Sequence, residues 1–166
     1  MGDGTTDDIR VGIGHDTHRL ESGGGPLRLG GVDIEHDRRL IGHSDADALL
    51  HAITDAILGA AALGDIGQMY PDSDPANRNR DSAEMLKAAR LAIGELGWKI
   101  VNVDCIVFAQ QPKLTPYWPN IRVRLADILD IGPNRIGLKA KTGEHIGPIG
   151  MEEVIAAECV ALLHKP

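Results

Sequence analysis

Asp16 and His18 lie two residues apart in the run from Gly12 to Leu20 (GIGHDTHRL), at the end of a short strand expected over Ile9 to Ile13. Side chains at i and i+2 of an extended chain point to the same face. This carboxylate and imidazole can therefore hold one metal ion as neighbouring corners of a tetrahedron. The third ligand is sought on the longest helix, where Asp47, His51 and Asp55 recur four apart and so line one face. His51 is the candidate, and Asp55, one turn on, is placed to orient its ring, as carboxylates behind metal-bound histidines do. Three protein ligands and an open corner is how a working zinc is held, whereas a structural zinc is closed on all four sides.

Each residue also has a plainer use. A lone helical histidine more often makes an ordinary hydrogen bond. Asp47 and Asp55 suit a solvated helix face, and Asp65, Asp72 and Asp74 suit turns, whose backbones aspartate tolerates. Lys113 suits the surface, and Thr142 with Glu144 a turn. The polar stretch from Gly64 to Arg80 is long for a mere connection. Together these residues point to a metal-dependent enzyme acting on a phosphorylated substrate.

The elements that must position them follow from pattern. Leu27 to Leu29 and Val32 to Ile34 flank Gly30-Gly31, a pair suited to a tight hairpin turn. Glu35 to Arg39 is expected as solvated loop. Ser44 is expected to cap the long helix, with Asp47 three residues on as a variant capping box and Leu63-Gly64 as the stop. Ser82 is expected to cap a second helix ending at Gly97, Trp98 to Phe108 reads as a strand, and Thr115-Pro116 starts a third helix. Ile136 to Lys141 is a further strand, while Val154 to Leu163 fits helix or strand equally.

The 166 residues suit one domain, expected over 9–166 behind a flexible tail at 1–8. With two Trp, two Tyr and one Phe, the core must be aliphatic. A net charge of −7 gives no basic face for nucleic acid or an anionic membrane. An anionic ligand must then be held by local metal, lysine and backbone amides. Cys105 and Cys159 have no CxxC spacing and read as buried thiols of a reducing, cytoplasmic compartment. No apolar run approaches the length of a membrane span.

The runs GIGHDTHRL, HSDADALLHAITDAILGAAALGDIG, YPDSD, AQQPKL and KAKTGE, in this order, closely resemble the 2-C-methyl-D-erythritol 2,4-cyclodiphosphate synthase family of the non-mevalonate isoprenoid pathway. The resemblance runs from Arg10 to about His164. It implies a single α/β (α+β) domain with a mixed sheet covered by helices on one face, the sheets facing inward in a homotrimer with sites shared between subunits. On that ground Val154 to Leu163 is expected to be a strand.

Position by position, the resemblance implies one zinc on Asp16, His18 and His51, and His43 and Thr142 as catalytic residues. Glu144 matches the ligand of a magnesium or manganese ion shared with the substrate diphosphate. Asp65, Ile66 and Gly67, with Tyr70, Pro71, Asp72, Ser73 and Asp74, match the segments holding the erythritol and its phosphate. Ala109, Gln110, Pro112, Lys113, Leu114 and Thr115 match the cytidine diphosphate segment. Ser44 and the start of its helix are expected to offer amides to a phosphate. The implied reaction is a cyclisation that releases CMP, catalysed by a phosphorus–oxygen lyase.

Two departures stand out. Lys141-Thr142-Gly143-Glu144 replaces the family's usual TTTE, and Met151 stands where the family has an arginine. Two other functions share these residues: a metallo-phosphohydrolase, which makes no cyclic product, and a non-catalytic trimeric nucleotide binder, which His43, Thr142 and Glu144 argue against.

Overall fold

The structure is a computed structural model that describes residues 8–23, 25–71 and 73–166. The expected tail therefore lies outside the described residues except for Asp8, as does Asp72. The chain opens with β1 (Asp8–Ser22), which takes Asp16 and His18 into its own run rather than into a turn after a short strand. Its length comes from an unbroken antiparallel ladder with β7 (Val154–Lys165), from Asp8 opposite Lys165 to Arg19 opposite Val154. The last segment is thus a strand, as the resemblance implied.

β2 (Leu27–Leu29) and β3 (Val32–Ile34) form the expected hairpin, turning through Gly30 and Gly31 at φ +63° and +72°. Both values lie in the left-handed region that glycine occupies without strain. β4 (Arg38–Ile41) overlaps the expected solvated loop and corrects it: Leu40 is buried, and the strand pairs with β1 from Arg19 opposite Ile41 to Ser22 opposite Arg38.

The helices are α1 (Ala48–Ala60), α2 (Ile66–Met69), α3 (Ser82–Glu95), α4 (Trp118–Leu129) and α5 (Gly147–Gly150). With β5 (Lys99–Phe108) and β6 (Ile136–Lys141) the five-stranded sheet has the order β4-β1-β7-β5-β6, and only the β5–β6 pair is parallel. The chain is therefore one α+β domain with a mixed sheet. α1 lies along β1 and β7 and packs against α3, so the aliphatic core fills one side of the sheet. On the other side Ile9, Val11 and Ile13 of β1 are 62%, 66% and 72% exposed. Cys105 and Cys159 are opposite one another on β5 and β7, as buried free thiols.

α1 is capped by Asp47 rather than Ser44. The Asp47 carboxylate is fully buried and accepts from the amides of Leu50 (3.1 Å), Gly30 (2.8 Å) and Gly31 (2.7 Å). One side chain thus starts the helix and ties it to the hairpin. Burial pushes its carboxyl up, against the pull of these three amides. At the helix start the Leu50 amide is thus taken by Asp47. At α3 the cap also differs from the expected residue, here by one position, Asp81 accepting from the Ala83 amide.

Gly12 and Gly14 let α1 approach β1 closely. A Cβ at either position would run into the main-chain carbonyl oxygens of Ala56 and Ala52. This approach sets His51 down beside Asp16 and His18. No helix among the described residues is long and apolar enough to cross a membrane.

Candidate metal and active site

Asp16 and His18 point from β1 toward α1, where His51 meets them. Asp16 Oδ2 lies 2.9 Å from His18 Nε2 and 2.9 Å from His51 Nδ1, and the two imidazole nitrogens are 3.1 Å apart. Three ligands about 2.0–2.1 Å from a tetrahedral ion stand about 3.3 Å from one another. An ion therefore fits this triangle with little adjustment. Among the described residues these three form the group that could hold a metal. Burial works against charge on Asp16, yet the hydrogen bonds and charges of His18 and His51 hold its carboxyl well below the usual range. Burial also disfavours a charged His18, but Asp16 and the Ile41 carbonyl raise it above its ordinary value. The pocket is thus built around one anionic oxygen and two imidazoles that gain from a cation between them.

Both rings are held in the tautomer a metal needs. His18 Nδ1–H donates to the Ile41 carbonyl at 2.9 Å, which leaves Nε2 free to ligate. His51 Nε2 contacts Ser82 Oγ at 2.7 Å and Ser44 Oγ at 3.1 Å, which leaves Nδ1 facing Asp16. Asp55 does not orient His51 as expected: its Oδ1 accepts from the Ile66 amide at 2.7 Å and fixes the start of α2 instead.

The triad opens into a cavity of about 260 Å³ lined also by His43, Ser44, Ile66, Gly67, Tyr70, Asn77 and Met85. An adjoining cavity of about 670 Å³ shares Gly42, His43 and Asn77 and adds Ser73 and Asp74. Asp65 caps α2 through the Gln68 amide at 2.8 Å, and Pro71 accepts from Asn77 Nδ2 at 3.0 Å. Arg80 stacks over the Tyr70 ring at 4.8 Å. The expected phosphate-side residues from Ser44 to Asp74, Asp72 apart, therefore gather around the triad or beside it.

The other expected residues gather elsewhere. Ala109 N donates to the Lys141 carbonyl at 2.9 Å, and Gln110 Oε1 accepts from the His145 amide at 3.3 Å. Thr142 Oγ1 donates to Glu144 Oε1 at 3.0 Å. The start of the loop that runs on through Pro112, Lys113, Leu114 and Thr115 thus sits against Lys141 and His145, which flank Thr142 and Glu144 in the chain. Lys113, Thr142 and Glu144 are exposed. None of these residues lines the triad cavity. Lys141 is level with Thr17 across the sheet, through Phe108 and Ala156. Three strand spacings, about 14 Å, separate them.

The sequence reading missed Asp45 and the role of Ser82, which join behind His51, and Asn77, which shapes the loop. Neither periodicity nor spacing marks them.

Residues 9–164 match the sequence model of the YgbB family. This chain belongs to that family. A 2-C-methyl-D-erythritol 2,4-cyclodiphosphate synthase of Gemmatimonas aurantiaca is 50% identical over 155 residues, covering 93% of each chain. The YgbB family is thus the synthase family that the motifs resemble. Among solved structures, the bifunctional IspDF of Campylobacter jejuni superposes with a TM-score of 0.92 at 41% identity over 97% of this chain, which spans 43% of that longer protein. A 2C-methyl-D-erythritol-2,4-cyclodiphosphate synthase bound to CDP superposes with a TM-score of 0.85 at 37% identity, covering 93% of this chain and 99% of that one.

Proposed function

We propose that this chain is a cytoplasmic phosphorus–oxygen lyase of non-mevalonate isoprenoid biosynthesis. It converts 4-diphosphocytidyl-2-C-methyl-D-erythritol 2-phosphate to 2-C-methyl-D-erythritol 2,4-cyclodiphosphate and releases CMP. The observation that carries the reading is the Asp16, His18 and His51 triangle opening on a cavity, in a chain of this family.

Asp16, His18 and His51 would hold zinc, and Glu144 a magnesium or manganese ion bound with the substrate diphosphate. Such ions disperse the charge that builds when one phosphate approaches another. Ser44, Ile66, Gly67, Tyr70, Ser73 and Asp74 hold the erythritol and its 2-phosphate, with Asp65 and Pro71 fixing the loop. Gln110, Pro112, Lys113 and their neighbours receive the cytidine diphosphate, where Lys113 neutralises a phosphate. His43 and Thr142 steady the β-phosphoryl group as an oxygen of the 2-phosphate attacks it and its bond to CMP breaks. The nucleophile is tethered to its target, so holding one folded conformer supplies much of the rate.

A homotrimer accounts for two features together. The apolar side chains of Ile9, Val11 and Ile13 on the uncovered sheet face would meet their counterparts, sheets inward. The Lys113 and Glu144 half of one subunit would face the triad of its neighbour, closing the gap across the sheet.

Incubation with the cytidine substrate and a divalent metal, read by phosphorus NMR, should show the cyclic diphosphate and CMP. Linear phosphates alone would overturn the reading in favour of a hydrolase.

A further inference from the structure

We propose that Ser82 and Asp45 are positioning residues for His51, acting as a relay that fixes which ring nitrogen faces the metal; this rests on reading Asp16, His18 and His51 as the metal ligands. Behind the ring, His51 Nε2 meets the fully buried Ser82 hydroxyl at 2.7 Å. Ser82 Oγ in turn makes a short hydrogen bond to Asp45 Oδ1. Asp45 Oδ2 receives the Ser82 amide at 3.2 Å and lies 3.5 Å from Arg28 Nε.

The direction of this relay follows from its last member. An ionised carboxylate can only accept, so the Ser82 hydroxyl must donate to Asp45. Its oxygen then accepts from His51 Nε2–H, and the lone pair is left on Nδ1, facing Asp16. Arg28 flanks the same carboxylate, 3.5 Å from Asp45 Oδ2, and pairs with Asp33 at 2.8 Å. Ser82, the first residue of α3, meets Nε2 at 2.7 Å and Ser44 Oγ stands farther off at 3.1 Å, while Asp45 and then Arg28 stand behind Ser82. His18 meets the same need with a main-chain carbonyl. His51 meets it with side chains. Groups behind a ligating histidine that fix its tautomer typically account for 10–100-fold in metal affinity.

The test is zinc affinity of the full chain, stripped of metal and titrated against a chromogenic chelator, together with long-range proton–nitrogen NMR of the imidazoles in the zinc-loaded protein. Ser82→Ala should weaken zinc by about 10–100-fold and let the His51 Nε2 proton exchange rapidly with water. Ser82→Thr, which keeps the hydroxyl, should stay within a few-fold of the parent, on the same grounds. Asp45→Asn presents an N–H where Ser82 needs an acceptor and should weaken zinc comparably. It also carries the test if Ser82→Ala does not fold. Parental affinity and unchanged His51 signals in Ser82→Ala and Asp45→Asn would overturn the relay and leave the metal reading standing. A parent chain that binds no zinc would overturn both.

Discussion

The two halves of the proposed site are built in opposite ways. The triad half is recessed, its donor atoms are within 3.1 Å of one another, and each imidazole is braced from behind. The half around Lys113, Thr142 and Glu144 is exposed, Thr142 bonding to Glu144 within its own turn and Gln110 to the His145 amide across the two loops. One half is finished within a chain and needs an ion. The other is open and needs a second surface. That contrast supports the proposed sharing of the site between subunits, on which the halves should fail separately.

The largest effect should come from the finished half. His51→Ala removes a ligand that no neighbouring group can replace. It should abolish stoichiometric zinc by metal analysis and cost several kcal/mol of charge stabilisation, about 10³-fold in turnover, with the circular dichroism spectrum unchanged. Full zinc occupancy in that variant would mean the metal sits elsewhere.

Mixing tests the separation directly. His18→Ala and Lys113→Ala chains, each nearly inactive, should regain activity when unfolded and refolded together. If each site draws its halves from adjacent subunits, random assembly of equal amounts rebuilds about a quarter of the sites. Mixed trimers on native mass spectrometry without recovered activity would place both halves in one chain.

The finished half was also the more legible in the sequence. Alternation along a strand puts Asp16 and His18 on one face, and helical spacing presents His51; both are local rules. The strand and helix starts were read less well because tertiary partners set them. β1 continues past Ile13 since β7 pairs with it to Arg19, and α1 starts at Asp47 since that carboxylate also serves two hairpin amides. Ser82 looked like a cap because serine often is one. Its actual partners, His51 and Asp45, lie 31 and 37 residues away, beyond any local pattern. The open half was legible only through family resemblance, since an exposed lysine and a Thr-x-Glu turn carry no distinctive spacing.

A smaller effect is expected at Gly14. The finished half depends on α1 lying against the backbone of β1, and a methyl group here meets the rigid Ala52 carbonyl rather than a side chain that could swing away. Gly14→Ala should lower stability by about 2 kcal/mol, read from urea denaturation. It should also weaken zinc, because His51, beside Ala52, moves off with the helix. A variant as stable as the parent with parental zinc affinity would show that the helix can retreat without disturbing the triad.

The smallest effect concerns Met151, which follows α5 directly and is 64% exposed. In the resembling family an arginine at this position points into a cavity on the threefold axis, where it can hold an isoprenoid diphosphate. A diphosphate confined among apolar walls requires cationic donors, since leaving it unpaired costs several kcal/mol or more. Methionine supplies only a polarizable thioether. The adjacent carboxylates of Glu152 and Glu153 add no attraction, and Arg38 is committed to the Glu152 carbonyl at 2.6 Å. Cyclase activity should therefore be indifferent to this position, while farnesyl diphosphate should bind weakly by calorimetry and gain about tenfold or more in Met151→Arg, the worth of one charge-assisted contact. Tight binding by the unaltered chain that the arginine does not improve would reveal another cationic group that holds the diphosphate.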